Sequence, residues 1–383
     1  MKNRNLPNGT RDEFGTRAEI KETIQERLFK LFRDRGFNRL TTPILEYADV
    51  FSPLNLENVR PYQLLDEQGE ALVLRPDLTL PVARMMSTTG IEVPAKWYYG
   101  GDVFRLNKQL SGSYNQVTQA GIEIVGYAGL KGEWESLAIA VQGCEINAVK
   151  DLTIELSDAR FVDAVFAQLP LADPTKQALK QALFDKDLTR YQQLAQSLAN
   201  TAYQPFISEW PWLFGAVDLV MATVKTLPDQ EQLQPILTDL ERTVQFIEAQ
   251  TGDLTVVLDL SRPTPQSYYT GMAFRGYTQS DADYLFSGGR YDKLLTSFQK
   301  VQEPAVGVAF DVDALADRAA GPVDVVQTLL YFEPEQWSVA EAALKKDPNA
   351  TLCLADSLAE AQAIARSQQM TLVNLAANQE VGA

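Results

Sequence analysis

Four short stretches carry side chains that could do chemistry together. The first runs from Trp97 to Gly126 (WYYGGDVFRLNKQLSGSYNQVTQAGIEIVG) and holds a guanidinium at Arg105, an amide at Gln119 and a carboxylate at Glu123. Glu123 stands between Ile122 and Ile124, so strand alternation sends it to the face opposite those two. A carboxylate buried there needs a partner, because burying one alone is costly; a strand with one face in water is the plainer alternative. The second stretch, LRPDLT, puts Asp77 and Thr79 at the start of a helix, where Asp77 serves either a cation or the helix cap. The third offers Tyr268 and Tyr269, which fit a ligand wall or an apolar core equally well. In the fourth, YLFSGGRYDKLL, Gly288-Gly289 reads as a tight turn opening a helix, where backbone amides can meet an anion. Simple turn geometry explains that pair as well.

Composition narrows the partners. At 383 residues, 45% hydrophobic and 22% charged, the chain is long enough for two or three folded domains. Lys plus Arg number 34 against 50 Asp plus Glu, a formal charge of −16. A polyanion is repelled by such a chain, and the densest basic stretch, Arg27 to Arg39, lies partly on an amphipathic helix, so nucleic acid is a poor partner. Cys144 and Cys353 stand far apart with no metal-ligand spacing, and read as reduced, structural thiols; no metal is expected. Histidine is absent altogether, which excludes Ser-His-Asp and Cys-His systems, His-ligated zinc and imidazole acid–base work. The N-terminus lacks an apolar leader, and no run approaches the roughly 20 apolar residues that span a bilayer. A soluble, cytoplasmic chain with no membrane contact is expected.

These side chains need elements to position them. The Trp97–Gly126 stretch reads as two antiparallel strands joined by a long loop from Lys108 to Asn115. Thr16 and Glu19 have the form of a capping box, followed by Ile20, Ile24, Leu28, Leu31 and Phe32 at helical spacing, with Gly36 at the C-terminal end. GFNRLTTPILEYADVF is held extended by Pro43, and residues 71–86 give a short strand, then Pro76, then a helix. Glu133 to Lys150 is an amphipathic helix, and LTIELS alternates as a strand. Residues 159–250 turn Gln-, Ala- and Leu-rich with helical periodicity, punctuated by prolines, and predict a helical insertion. Strands return at LTVVLDL and EPAVGVAFDVDAL. Beyond the linker at Gly321-Pro322 a β-α-β-α-β alternation predicts a small α/β domain with some parallel pairing. The expected domains are thus 1–320, with its insertion at about 159–250, and 321–383.

Together these pieces resemble the catalytic core of class II aminoacyl-tRNA synthetases, histidyl-tRNA synthetase in particular, from about Leu6 to Leu315. GFNRLTTPILEYADVF resembles the family's first, dimer-forming motif, LRPDLT its LRPExT segment, and FR followed by QAGIE its second motif. SYYTGMAF resembles its histidine-pocket segment, and GGRYDKLL with AVGVAF its third motif. The resemblance implies an α+β fold: a class II synthetase-like antiparallel sheet core flanked by helices, with a helical insertion and a small C-terminal α/β domain. It also implies a pocket for free histidine. Asp77 and Thr79 would serve the α-amino group, and Gln119 and Glu123 the amino group and imidazole. Tyr268 would lie on the ring with Tyr269 behind it, and Arg105, which alone of the family's phosphate-directed cations clearly survives, is counted with these histidine-binding residues. The residue types suit those tasks, since carboxylates pair with an ammonium and a carboxylate or phenol holds a ring N–H.

The family's ATP machinery is largely missing. The Glu of FRxE is Asn107, the loop's phosphate- and tRNA-directed arginines fall on Ser113 and Asn115, and the adenine-stacking Phe falls on Val117. The Arg of GxERL is Ala314, with Asp311 and Asp313 beside it, and the pocket arginine of RGLDYY matches only Thr264, or Arg262 after a slip. Adenylate formation needs fixed cations, and losing several costs far more than the roughly 2.7–4 kcal/mol of one transition-state donor. These features are similar to the synthetase-like regulatory subunits of ATP phosphoribosyltransferase. That resemblance implies no catalytic residues and no cofactor, and a hetero-octamer with a short-form catalytic subunit. It further implies a self-dimer through the first motif and free histidine as the inhibitory effector. A chain needed during histidine shortage gains from containing none, which histidine usage across the biosynthetic operon would test. The alternatives are an aminoacyl-adenylate-forming enzyme and a free-standing histidine sensor.

Overall fold

The computed structural model describes residues 4–54, 60–106, 114–250, 254–261, 263–264, 268–280, 283–319, 327–377 and 379–381. It divides into two compact units, Met1–Ala319 and Ala320–Ala383.

The first unit opens with helix α1 (Thr16–Asp34), whose Ile24, Leu28 and Phe32 fall one turn apart and are buried. The capping box does not form: Gly15 is the N-cap and no side chain bonds the free amides, because Thr16 already has helical geometry. Gly36, at φ +78°, ends the helix in a conformation that a Cβ disfavours. Strands β1 (Asn38–Arg39), β2 (Leu45–Tyr47), β3 (Gln63–Leu65) and β4 (Ala71–Leu74) follow, then helix α2 (Thr79–Thr89). The long hairpin is β5 (Ala95–Phe104) and β6 (Gln116–Val125), paired antiparallel over ten residues. Helix α3 (Lys131–Ile146) ends earlier than its apolar stripe predicts, since Ala148 and Asp151 take positive φ.

Strand β7 (Leu152–Asp158) leads into helices α4 (Ala159–Gln168), α5 (Asp173–Asp185), α6 (Leu188–Ala195) and α7 (Gln204–Glu209). A short strand β8 (Phe214–Ala216) interrupts the helical region before α8 (Val217–Val224) and α9 (Gln234–Glu248). Strands β9 (Leu254–Asp259), β10 (Met272–Tyr277), β11 (Phe286–Arg290) and β12 (Ala305–Asp311) and helix α10 (Val312–Arg318) complete the unit.

One sheet of nine strands in the order β1-β5-β6-β12-β11-β10-β7-β9-β8 organises it, and a three-stranded sheet runs β2-β4-β3. Pairing from β5 through β7 is antiparallel, which matches the class II synthetase-like fold. Helices α1 and α3 contribute Leu28, Phe32, Leu137 and Ile139 to the main core, together with Ile122, Ile124 and Phe310 of the sheet. The isoleucines around Glu123 thus face the helical layer and leave Glu123 for the other face. Gly288 and Gly289 are not a turn; both lie inside β11. They are small because a Cβ at Gly289 would come within 2.8 Å of the Tyr269 ring and of Met272 O.

The second unit, by itself, is a four-stranded sheet in the order β14-β13-β15-β16: β13 (Thr328–Tyr331), β14 (Ala350–Leu352), β15 (Thr371–Asn374) and β16 (Gln379–Val381). Helices α11 (Trp337–Leu344) and α12 (Leu358–Gln368) connect the first three strands, which pair in parallel.

Candidate functional site

Register places the site. Across the sheet, Trp97, Glu123, Gly307, Gly289 and Ala273 form one row of paired residues, and Tyr99, Gly121 and Ala309 the next. A third row holds Gly101, Gln119 and Asp311. Paired residues share a face, so Glu123 and Gln119 point to the same side, flanked by glycines. At Gly307 a Cβ would collide with the Glu123 carboxylate, and at Gly121 it would stand 2.7 Å from the Tyr99 hydroxyl. The missing side chains leave the space that the Glu123 carboxylate and the end of the Tyr99 ring fill.

Glu123 is 2% exposed and well partnered. Tyr99 donates its hydroxyl to Oε1 at 3.0 Å, Tyr291 donates to the other oxygen, and the Thr79 hydroxyl bonds both Glu123 and Tyr99. Burial pushes the Glu123 carboxyl up to about 8, with Asp77 adding to the rise, while the Thr79 and Tyr99 hydroxyls pull the other way. Burial thus makes Glu123 hold its proton to far higher pH than a surface glutamate does. Asp77, one residue before the N-cap Leu78, accepts the Leu80 N–H at 2.8 Å; burial raises its carboxyl, opposed by the Leu80 amide and Arg105. The chain turns at Pro76, whose carbonyl accepts Arg105 Nε at 2.7 Å, which fixes the guanidinium beside Asp77. Tyr268 and Tyr269 meet edge-on, 5.1 Å between centroids, and Tyr268 meets Tyr291 edge-on at 5.9 Å. Burial holds both phenols above their ordinary value, with the Asp77 and Glu123 charges adding to it.

The structure thus gathers Asp77, Thr79, Arg105, Glu123, Tyr268 and Tyr269 around one hollow, with Gln119 on the same face two rows from Glu123, opposite Asp311. Tyr99 and Tyr291 join them and were missed in the sequence. Tyr99 lies two residues from the partner of Glu123, and Tyr291 sits inside the quoted GGRYDKLL; the signal was there once the hairpin register was drawn. The arrangement sets a buried carboxylate, Asp77, beside Arg105 and a second carboxyl, Glu123, against the Tyr99 and Tyr291 hydroxyls.

The neighbouring end of the sheet carries Asp311 and Asp313, the latter ion-paired with basic side chains. Asp311 caps α10 through the Ala314 N–H at 2.9 Å, and burial raises its carboxyl to about 6, with Asp313 and Asp283 adding to the rise and Arg105 opposing it. Asp313 accepts Arg11 at 2.5 Å, Lys21 at 2.8 Å and the Thr118 N–H at 2.7 Å. Asn115 is tied to the N-terminal segment, its N–H bonding Gly9 O at 2.6 Å and its amide Asn8 O at 3.0 Å. Asn107, Ser113 and Arg262 lie outside the described residues. Among the described residues no group of carboxylates and thiols is placed to hold a metal ion, and no helix is long and apolar enough to cross a membrane.

The profile of the histidyl-tRNA synthetase family matches residues 9–315. A protein named ATP phosphoribosyltransferase regulatory subunit from Lacticaseibacillus paracasei is 48% identical over 381 residues, covering 100% of both chains. One of the same name from Listeria monocytogenes is 34% identical over 369 residues, covering 95% of this chain and 93% of that one. The chain belongs to the ATP phosphoribosyltransferase regulatory subunit family. Its relatives carry the word regulatory in their names, and the family shares its core with histidyl-tRNA synthetase. In fold, the chain resembles a solved structure described as an ATP phosphoribosyltransferase regulatory subunit/histidyl-tRNA synthetase from Bacillus halodurans, with TM-score 0.82 at 23% identity over 97% of each chain. It also resembles histidyl-tRNA synthetase from a Nostoc species, with TM-score 0.77 at 18% identity, covering 97% of this chain and 91% of that one.

Proposed function

We propose that the chain is the regulatory subunit of ATP phosphoribosyltransferase in the first step of histidine biosynthesis. On this reading it supports a short-form catalytic subunit and lends it feedback inhibition by histidine, with no catalytic group of its own. The observation that carries this reading is the contrast within one site. An amino-acid cradle of Asp77, Thr79, Glu123, Tyr268 and Tyr291 adjoins an end of the sheet where Asp313, beside Asp311, takes up Arg11 and Lys21, cations of the kind a triphosphate would need. Histidine's ammonium would pair with Asp77 and its ring N–H with Glu123, while the ring lies against Tyr268 with Tyr269 behind it. Gln119 would reach the amino group, and Arg105 holds the Asp77 turn in place.

Assembly follows from surfaces elsewhere. Ile44, Leu45, Tyr47, Leu64 and Leu65 are exposed on the three-stranded sheet, which suits the self-dimer through the first motif, and dimers then join catalytic subunits in a hetero-octamer. The assembly works in the cytoplasm. Nothing in the charge balance of −16 favours nucleic acid. Two measurements test the reading. Mixing the purified chain with a short-form phosphoribosyltransferase should restore activity and make it histidine-sensitive. Histidine-dependent pyrophosphate exchange by the chain alone should be absent; its presence would instead establish the adenylate-forming alternative.

A further inference from the structure

The pocket is joined to the helical insertion by a buried ion pair that none of the site chemistry uses. Arg290, 6% exposed, directly precedes Tyr291 in the chain. Its Nε and one terminal nitrogen each reach a different oxygen of Glu133 at 2.5 Å. The remaining nitrogen reaches Asp292 at 3.0 Å and Tyr127 O at 3.2 Å. Glu133, 4% exposed, lies in the first turn of α3. The terminal nitrogen that reaches Glu133 also reaches Gly129 O at 3.4 Å, so all five N–H groups have acceptors and the guanidinium cannot turn without disturbing that helical turn.

Both ends of this joint are anchored. On the pocket side, Tyr291 donates to Glu123, Thr270 N–H bonds Arg290 O at 2.8 Å, and Asp292 N–H bonds the Thr270 hydroxyl at 2.9 Å. The segment carrying Tyr268 and Tyr269 is thus laced to the same strand end. On the far side the next residue, Trp134, stacks on Phe246 of α9, with centroids 4.9 Å apart and planes within 3°. Its indole N–H bonds Thr243 at 3.0 Å, and Arg242 covers the ring. A cavity of about 760 Å³, lined by Trp134, Asp239, Arg242, Arg290 and Asp292, leaves room for the junction to move.

A ring N–H that donates to Glu123 competes with the Tyr291 hydroxyl for the same carboxylate. We propose that the Glu133–Arg290 pair is the joint through which an occupant of the Glu123 pocket displaces helix α9. Arg290 and Glu133 act as positioning residues that touch no ligand. This rests on the pocket being the histidine site. A buried ion pair is weak evidence of added stability but fixes relative placement closely, as such a joint requires. What it can pass on is limited to the difference in histidine's affinity for the two arrangements.

The test uses the full chain with 5-fluorotryptophan in place of its five tryptophans, the Trp134 fluorine resonance being assigned by Trp134→Phe. Histidine should shift that resonance saturably, with the dissociation constant found by calorimetry. In Glu133→Gln, histidine binding should stay within about threefold of wild type while the Trp134 shift disappears. Inhibition of the assembled phosphoribosyltransferase should then weaken at least tenfold. If Glu133→Gln does not fold, Thr243→Val, which removes the indole's acceptor, should cut the response in the same way. A Trp134 resonance that stays still at saturating histidine overturns the joint, as does a wild-type response and wild-type inhibition in the variant that folds. The two ideas fail separately. Lost binding in Glu123→Gln beside a still Trp134 signal removes the joint alone. Undiminished binding in Glu123→Gln removes the reading of the pocket and the joint with it.

Discussion

On the proposed reading of the pocket, the charge state of Glu123 should make histidine affinity depend on pH in a form that can be worked out in advance. In the empty pocket the carboxyl titrates at about 8, and the imidazole of free histidine titrates near about 6.5. Between those values Glu123 brings the proton and the ring arrives neutral, so the complex holds the one proton the pair needs and exchanges none with solvent. Above about pH 8 the empty pocket has lost that proton and must take one up, so affinity should fall about tenfold per pH unit. Below about pH 6.5 the ring carries an extra proton that must be released, and affinity falls again. Glu123→Gln removes the titrating group and the charge-assisted bond. Such a bond contributes about 1.5–3 kcal/mol, so affinity near neutrality should drop roughly 10- to 150-fold. The variant should also lose the alkaline fall, apart from any loss from the ligand's own ammonium, which the difference between the two proteins cancels. Calorimetry from about pH 5.5 to about pH 9, in buffers of differing ionisation enthalpy, counts the protons directly. Equal affinity in variant and wild type, or a wild-type affinity that rises through pH 8, would refute the reasoning.

Other substitutions probe the same construction. Tyr268→Ala should weaken histidine binding about 2- to 13-fold, the equivalent of about 0.5–1.5 kcal/mol for one aromatic contact. Size-exclusion profiles of the assembly should not change, and undiminished inhibition would discard the ring's role. Gly307→Ala puts a methyl onto the Glu123 carboxylate and within 2.6 Å of Ile122 O. It should cost about 1–3 kcal/mol in urea melts and abolish histidine binding. Asp313→Asn should destabilise by about 1.5–3 kcal/mol, because a carboxylate held by Arg11, Lys21 and an amide loses its charge. Burial alone would raise Asp313, but Lys21, the Thr118 amide and Arg11 outweigh it and leave the carboxyl lowered. Its contribution is therefore present above the unfolded value near about 3.9 and is lost as pH falls through the lower folded one. The gap between variant and wild type should close only in strong acid, and a gap that closes nearer neutrality would contradict this.

Local signals made much of the architecture legible. Leu28 and Phe32 read as core at helical spacing, and Ile122 and Ile124 set the orientation of Glu123 by alternation. Asp77 read as either the N-cap or a ligand; the N-cap is Leu78, and Asp77 bonds the Leu80 N–H from one residue further out. What stayed hidden depends on pairing between distant strands. Neither Tyr99 nor Tyr291 can be linked to Glu123 until β5, β6, β11 and β12 are aligned. Gly288-Gly289 read as a turn because glycine marks turns and crowded strands alike, and only the neighbouring Tyr269 ring tells them apart. Thr16 and Glu19 matched a capping pattern whose geometry Gly15 pre-empted. Strand β8 is three residues of Phe, Gly and Ala, too short to leave a periodic trace.

The glycines beneath Glu123 limit how the recognition can be altered. Gly121, Gly289 and Gly307 have no atoms left to delete, so mutation at the base can shrink the accepted ligand but never enlarge it. On the proposed reading, accommodating a bulkier amino acid requires trimming the tyrosines, which are the same groups assigned to the ring. Size tolerance and grip are therefore inseparable here, and a variant selected for a larger effector should pay in affinity for whatever breadth it gains.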